Sequence, residues 1–222
     1  MNAVSFHRAR NPQAKLRRAN EILEAARVLG SERGIGNVSL TDIAEAIGMH
    51  KSALLRYFET REQIFLILAA SAWLEWADDV KECLRQTHPC APASIAAALA
   101  KSLGTRAFFC DIVAHTSLSL ERRVSMGALK EFKAAALDAT YMIAEELQKL
   151  CSLTERQAID TIATATTMAG ALWQTATPSP EVLALYRDDP RLNHVIGDIA
   201  PRLSHILESL LIGFCAKNDG VA

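Results

Sequence analysis

The stretch from His50 to Phe58 combines hydrogen-bond donors, a cation and small side chains in one helical pattern. Placed at steps of about 100° per residue, the polar and small residues share one side: His50, Ser52, Ala53, Arg56 and Tyr57. The opposite side is apolar and is expected to face a core: Leu54, Leu55 and Phe58. Small and hydrogen-bonding side chains allow a helix to enter the major groove of DNA and reach base edges. The pattern therefore predicts a DNA-reading helix that begins at Lys51.

Three predicted helix starts are suited to holding phosphate groups. They lie near Ser39 and Thr41, near Lys51, and near Thr60 and Arg61. Unpaired amide groups and the positive end of the helix dipole attract anions at such positions. Arg17 and Arg18 could add contacts, and the arm formed by residues 6–10 could enter a minor groove. These contacts would position the protein without carrying sequence information.

The charge distribution favours a polyanionic partner, although the formal net charge is only −1. Residues 1–68 hold ten Lys or Arg against seven Asp or Glu, whereas the remainder holds 14 against 18. A basic segment inside a neutral total is typical of a chain that binds a polyanion through one part. Hydrophobic residues make up 50% of the chain, which excludes global disorder.

Other chemistries find little support in the sequence. The common nucleophile, zinc-protease, phosphate-loop and dinucleotide motifs do not occur, so we expect neither catalysis nor a cofactor. The cysteines at 83, 90, 110, 151 and 215 form no C-x-x-C pair, which argues against a metal site or a disulfide framework. Redox sensing by a thiol stays open as a minor alternative. Without a signal sequence or a membrane-length apolar run, we expect a cytoplasmic protein with no membrane partner.

The elements that position these residues are predicted to be helices throughout. Apolar residues recur at three- and four-residue steps, and no strand-like alternation is seen. The predicted helices cover about 12–33, 39–48, 51–58, 60–86, 93–103, 105–118, 125–151, 155–176, 180–187 and 199–216. Ser39 with Asp42, and Thr154 with Gln157, have the spacing of capping boxes. Two short helices joined at Gly48 then form a helix-turn-helix.

Together these features resemble the DNA-binding domain of the tetracycline-repressor (TetR) family of bacterial regulators. The resemblance spans residues 16–65 and is strongest in SLTDIAEAIGMHKSALLRYFETREQIF, residues 39–65. It is carried by Asp42-Ile43-Ala44, Gly48, the helix 51–58 and Thr60-Arg61-Glu62. Two positions depart from the family pattern. His50 replaces a usual Ser, and Leu55 replaces a usual Tyr, which implies a lost phosphate hydrogen bond that Arg56 and Tyr57 could replace.

The resemblance implies an all-α homodimer that binds a near-palindromic double-stranded DNA operator and is released by a small-molecule effector. Residues 1–68 are expected to form a three-helix helix-turn-helix DNA-binding domain. Residues 69–222 are expected to form a helical effector-binding and dimerisation domain, and the expected role is repression. A dimer also suits the physics of recognition, because two-fold partners reach half-sites about 34–36 Å apart while a single helix-turn-helix contacts few base pairs.

The resemblance also suggests where the effector and the partner subunit bind. The candidate effector pocket lies among the helices of residues 93–176 and is lined by Phe108, Cys110, His115, Met142 and Trp173. Each of these residues could equally belong to a core. The candidate dimer seam, made by helices 155–176 and 199–216, includes Ala165, Met168, Ala169, Leu172, Leu203, Ile206 and Leu210. Gly170 is expected to permit close approach at that seam.

A second functional class remains open at this point. The chain could be a helical enzyme, or a small-molecule or lipid-binding protein, that keeps the helix-turn-helix only as scaffold. Binding to promoter DNA that weakens steeply with salt would distinguish a regulator from these alternatives.

Overall fold

The computed structural model describes residues 12–88, 90–192 and 197–219. Over these residues the chain forms helices and contains no strand. The ten α-helices are α1 (Pro12–Arg33), α2 (Leu40–Ala46), α3 (Lys51–Leu54), α4 (Arg61–Arg85), α5 (Pro92–Gly104), α6 (Ala107–Leu118), α7 (Met126–Leu150), α8 (Glu155–Ala176), α9 (Pro180–Asp188) and α10 (Ala200–Asp219). Short 3₁₀ turns cover Ile35–Asn37, Leu120–Arg122 and Pro190–Leu192. The all-α prediction is confirmed.

Helices α1 to α3 and the start of α4 form a small N-terminal unit, called the helix-turn-helix unit below. Helix α1 buries Ile22, Ala26 and Leu29, whose spacing places them on one face. These side chains pack in a core with Ile43 of α2 and Leu54 of α3. Helix α4 continues from this unit without interruption, so its buried residues extend the same core into the rest of the molecule.

The remaining helices form a bundle around the second half of α4. Helix α4 packs along α7, α5 along α10, and α6 along α8. Trp76 lies at the centre with no exposed surface, and its indole Nε1 donates a hydrogen bond of 3.1 Å to the Ser102 hydroxyl. Phe109 of α6 packs against this indole, with ring centroids 5.2 Å apart. None of the described helices is long and apolar enough to cross a membrane.

The close crossing of α6 and α8 explains Gly170. A Cβ atom at this position would lie 3.2 Å from the Ala114 amide nitrogen and 3.3 Å from the Cys110 carbonyl oxygen. The absent side chain therefore lets two helices of one chain approach each other. The expectation that Gly170 serves a contact between subunits is corrected, because its contact surface is already covered by α6.

Candidate nucleic-acid interface and boundary cavity

The turn between α2 and α3 is fixed by backbone hydrogen bonds around Gly48. The Gly48 amide donates to the Glu45 carbonyl at 3.1 Å, and the Met49 amide donates to the Ala44 carbonyl at 2.8 Å. Gly48 has a φ of +64°, a conformation that is costly for residues with a Cβ atom. The glycine thus makes the tight turn possible, as the sequence predicted.

Helix α2 begins with the predicted capping box. The Ser39 hydroxyl accepts from the Asp42 amide at 3.2 Å, and the Asp42 carboxylate accepts from the Ser39 amide at 2.7 Å. Hydrogen bonds from Ser39 lower the pKa of Asp42 below its usual value, with a further contribution from Arg33. The Ser39 side chain is therefore engaged in holding the helix start, while Thr41 is exposed beside it.

The α3 segment presents a different set of side chains from the one that a regular helix predicts. Its regular part ends at Leu54, and the Arg56 and Tyr57 amides donate three residues back, to Ala53 and Leu54. This tighter winding rotates the following side chains relative to 100° steps. As a result Tyr57 packs against the core instead of facing outward. Leu55, whose amide still donates four residues back to the Lys51 carbonyl, is 45% exposed instead of facing the core. Both predictions were wrong, and the tighter winding is the reason for Tyr57.

The residues that the structure leaves exposed form the candidate DNA-binding surface. It is defined by His50, Lys51, Ser52, Leu55 and Arg56, with Ala53 half-buried between them. His50 occupies the residue before α3, makes no side-chain capping bond and is exposed. Two cations and two small side chains therefore share this surface. Arg17 and Arg18 of α1 are exposed as well, while the predicted arm of residues 6–10 lies outside the described residues.

Thr60 and Arg61, at the start of α4, have different roles. The Thr60 hydroxyl accepts from the Gln63 amide at 3.0 Å, which caps the helix. The Arg61 guanidinium turns inward instead: it donates to the carbonyls of Ile35 and Val38 and lies 4.8 Å above the Phe65 ring. Burial lowers the pKa of Arg61. Arg61 thus clamps the 35–38 turn onto α4, so its assignment as a phosphate-binding side chain is corrected.

A cavity of about 460 Å³ lies where the helix-turn-helix unit meets α6 and α8. This boundary cavity is lined by residues 30–34, 36 and 37 on one side and by Phe108, Asp111, His115, Trp173 and Gln174 on the other. Three of the predicted pocket residues, Phe108, His115 and Trp173, do line one cavity. Its far wall is α1 and the 35–37 turn, so it does not lie within the C-terminal bundle alone.

The other two predicted pocket residues do not line it. Cys110 is 1% exposed and its thiol donates to the Leu103 carbonyl at 3.3 Å, so it is a packed core residue. Met142 lies on α7 and packs against the core away from this cavity. The family resemblance had suggested both as pocket residues, and their placement there is corrected.

Asp111 is a polar residue of this boundary that sequence reasoning missed. Its carboxylate accepts from the Ile35 amide and from the Gln174 side chain, each at 2.7 Å, and lies 3.2 Å from His115 Nδ1. Burial favours the neutral acid, but these hydrogen bonds outweigh it and lower the pKa of Asp111. The hydrogen bond to Asp111 in turn raises the pKa of His115, against the effect of burial. In the sequence, Asp111 could have been noticed as the acidic residue within the otherwise apolar stretch 107–114 of α6.

A second opening, called the apolar cleft, lies between α4, α6, α7 and α8. Its volume is about 390 Å³, and its walls include Trp73, Val113, Phe132, Ala136 and Ile162. The hydroxyls of Thr116 and Thr166 in its lining donate to carbonyls of their own helices. Lys133, which pairs with Glu121 at 2.6 Å, is a cation in the lining. Because Glu121 also lines the cleft, this charged pair is already neutral, and the lining suits an apolar ligand.

Four of the seven predicted dimer-seam residues are buried inside the chain. Ala165, Ala169, Leu172 and Leu203 have at most 6% of their surface exposed, so none of them offers surface to a partner, and their assignment is corrected. Met168, Ile206 and Leu210 remain half-buried. They are accompanied on the exposed surfaces of α8 and α10 by further small or apolar residues: Ala163, Thr167, Ala171, Ile212 and Gly213.

Two cysteine thiols have shifted pKa values, and neither is activated as a nucleophile. Burial raises the pKa of Cys110 to about 12 and that of Cys151 to about 11. A higher pKa leaves less of the reactive thiolate at neutral pH. Within the described residues no group of three or more potential ligands is placed to hold a metal ion.

Comparison with known proteins gives two family matches that together cover most of the chain. The family described as bacterial regulatory proteins of the tetR family matches residues 22–68. The family described as the tetracyclin repressor-like C-terminal domain matches residues 70–218. Comparison with curated proteins finds no match.

Several solved structures share the fold at low sequence identity. FadR of Thermus thermophilus, a TetR-family transcriptional repressor solved with lauroyl-CoA, has a TM-score of 0.57 and 17% identity, covering 87% of this chain and 93% of its own. The fatty acid degradation regulator FadR of Bacillus halodurans has a TM-score of 0.54 and 14% identity, covering 87% of this chain and 94% of its own. A transcriptional regulator of Rhodococcus sp. Rha1 has a TM-score of 0.52 and 17% identity, covering 88% of this chain and 95% of its own.

Proposed function

This chain belongs to the TetR family of bacterial regulatory proteins, and we propose that it is a homodimeric repressor that leaves its operator when a small molecule binds. Residues 1–68 would bind DNA, and residues 69–222 would bind the effector and the partner subunit. The family is one of transcriptional regulators, which supports a regulatory role without catalysis. A protein that acts on chromosomal DNA would work in the cytoplasm.

The observation that carries this proposal is the candidate DNA-binding surface. Lys51 and Arg56 are exposed beside Ser52, immediately after the Gly48 turn, within the region that the family match covers. Cations at this position would neutralise phosphates or reach guanine, and the small neighbours would let the backbone approach the groove. Leu55 adds an apolar group that could contact a thymine methyl.

Fluorescence anisotropy with the protein's own promoter DNA tests this surface. We expect Lys51→Ala and Arg56→Ala to weaken binding and to make its salt dependence shallower, by about 0.9 in the logarithmic slope for each phosphate contact removed. Lys130→Ala is the matched control, because Lys130 is exposed on α7, away from the helix-turn-helix unit. Unchanged binding by both variants at all salt concentrations would refute the assignment.

The exposed surfaces of α8 and α10 are the proposed dimer seam. Ile206, Leu210 and Gly213 recur along one stripe of α10, and Ala163, Thr167 and Ala171 recur along one stripe of α8. Small and apolar side chains on two adjacent helices allow a four-helix contact between two copies. Sedimentation velocity should show a dimer that Leu210→Arg converts to a monomer. Leu118→Arg, at an exposed leucine of α6, should leave the dimer intact.

The apolar cleft is the proposed effector site. Its apolar walls would hold an alkyl chain, and an anionic group on the ligand would take the place of Glu121 at Lys133. Support for an organic ligand in this fold comes from Thermus thermophilus FadR, which was solved with lauroyl-CoA. An effector that binds better to the DNA-free arrangement of the dimer would lower operator affinity by linkage.

Calorimetry with dodecanoate and dodecanol tests the cleft. We expect dodecanoate to bind more tightly, and its binding to lower operator affinity. Ala136→Phe should fill part of the cleft and weaken both effects, while operator binding without ligand stays unchanged. Equal responses of Ala136→Phe and the unmodified protein would place the effector elsewhere.

A further inference from the structure

Helix α6 presents one stripe of side chains to the helix-turn-helix unit. Phe108, Asp111 and His115 follow each other at three- and four-residue steps, so they share a face. Two glycines of the helix-turn-helix unit contact this face. A Cβ atom at Gly30 would lie 3.1 Å from the Phe108 ring, and one at Gly36 would lie 3.2 Å from His115 Nε2. The stripe therefore contacts the end of α1 and the 35–37 turn at these two glycines, beside the boundary cavity, and the orientation of α6 constrains both segments.

Asp111 adds a directional contact to this packing. It is 7% exposed, and its Oδ2 accepts from the Ile35 amide while its Oδ1 accepts from Gln174 of α8. Ile35 is fully buried between α1 and α2. No helix of the helix-turn-helix unit supplies an acceptor for this amide, so a side chain of α6 satisfies a backbone group of the neighbouring unit.

The same turn is held from its other side by Arg61. The Ile35 carbonyl accepts from the Arg61 guanidinium at the start of α4, and so does the Val38 carbonyl. A continuous series of hydrogen bonds therefore runs from Gln174 through Asp111 and Ile35 to Arg61. We call this series the Asp111 relay. It joins α8 to the residues that immediately precede α2.

We propose that Asp111 is a positioning residue that sets the orientation of the helix-turn-helix unit relative to α8, and through it the operator half-site spacing that the dimer accepts. The proposal rests on the dimeric DNA-binding function proposed above. In a dimer joined through α8 and α10, the separation of the two α3 segments depends on how rigidly each unit is held to its own α8. Half-sites occur at fixed separations of about one helical turn of DNA, so an error in orientation lowers affinity at the correct spacing.

The opposite face of α6 suggests what acts on the relay. Val113, Thr116 and Ser117 line the apolar cleft, whereas Phe108, Asp111 and His115 face the helix-turn-helix unit. A ligand that moves α6 from the cleft side would shift Asp111 relative to the Ile35 amide. Loss of this hydrogen bond would free the 35–37 turn from α8 without disturbing α3 itself.

The experiment measures operator affinity against half-site spacing with the full-length dimer. A palindrome from the protein's own promoter is compared with versions in which the half-sites are moved by one or two base pairs in each direction. The unmodified protein should prefer its natural spacing by at least about tenfold. Asp111→Ala should lose most of this preference, so that the spacing profile becomes flat. Its affinity for a single half-site should stay within about twofold.

Conservative variants separate positioning from general destabilisation. Asp111→Asn keeps an oxygen that can accept from the Ile35 amide, so it should retain part of the preference, and Gln174→Ala should lose part of it. Asp138→Ala, at an exposed carboxylate of α7, should behave as the unmodified protein. If Asp111→Ala does not fold, Asp111→Asn and Gln174→Ala carry the same comparison.

The outcomes distinguish this inference from the proposed function. A full spacing preference in Asp111→Ala, or in both remaining variants if that protein does not fold, would overturn the positioning role and leave the regulatory function intact. An equal loss at every spacing and at the single half-site would also overturn it, because that result describes destabilisation. Failure of the unmodified protein to bind any promoter palindrome would instead refute the proposed function.

Discussion

On the candidate DNA-binding surface, Lys51 and Arg56 extend into solvent, whereas at the α6 boundary Arg61 and Asp111 are turned onto backbone groups of the same helix-turn-helix unit. Both regions use charged side chains carried by helices or by the turns next to them. In the first, no described residue forms an ion pair with Lys51 or Arg56, so these charges are available to a partner. The second uses its charges to fix the position of the unit. Charge type alone therefore does not indicate function, and the direction of the side chain decides it.

The largest effect that this contrast predicts is on folding stability at Arg61. Arg61→Ala removes charged hydrogen bonds to two carbonyls, and a bond to a charged group contributes about 1.5–3 kcal/mol. We expect the free energy of unfolding in urea to fall by about 3 kcal/mol. Arg56→Ala should change it by less than about 0.5 kcal/mol, because its side chain is exposed.

The variants Arg61→Ala and Arg56→Ala can also contradict the different roles assigned to the two regions. If Arg61→Ala folds as stably as the unmodified protein but loses DNA affinity, its guanidinium reaches phosphate after all. The original interpretation of Thr60-Arg61 as a phosphate-binding helix start would then be restored. Equal losses of stability in Arg61→Ala and Arg56→Ala would contradict the assignment of the two regions to different roles.

The sequence could predict features whose partners lie within one helical turn. The Ser39–Asp42 and Thr154–Gln157 capping boxes, the Gly48 turn and eight of the ten helices within two residues are of this kind. Tyr57 escaped prediction because the chain tightens after Leu54. Asp111 meets Gln174 across 63 positions and Ile35 across 76, and Arg61 meets Ile35 across 26. Such contacts depend on tertiary packing: of α6 against the 35–37 turn and α8 for Asp111, and of α4 against the same turn for Arg61.

A second, smaller effect is expected at the Gly48 turn between α2 and α3. Gly48→Ala keeps open space around the new Cβ atom but forces alanine into a φ of +64°. We expect a loss of about 1 kcal/mol and a fall in Tm of roughly 2–4 °C. Gly127→Ala is the matched control, because Gly127 has no positive φ and lies within α7. A loss of stability as large in the control would mean that backbone strain is not the cause.

The smallest expected effect is the pH dependence of the Asp111–His115 pair, which lies beside the Asp111 relay. Hydrogen bonding to Asp111 raises the pKa of His115, so its contribution to stability is fully present below pH ~6.5 and is lost as the pH rises through the folded-state value. Asp111, whose pKa is lowered, contributes above its unfolded value near 3.9 and loses its contribution only in stronger acid.

Urea unfolding of the unmodified protein and His115→Gln between pH 6 and 9 isolates the histidine. Besides Asp111, the charged groups facing it are Arg61 of α4, which opposes the shift, and Glu32 and Arg33, which line the same cavity at the end of α1. The stability difference between the two proteins should shrink with rising pH by less than about 1 kcal/mol, because solvent screens the half-buried pair. In an Asp111→Asn background the trend should disappear. A difference that grows with pH would mean that burial, and not Asp111, controls His115, and the relay would then hold the helix-turn-helix unit without sensing pH.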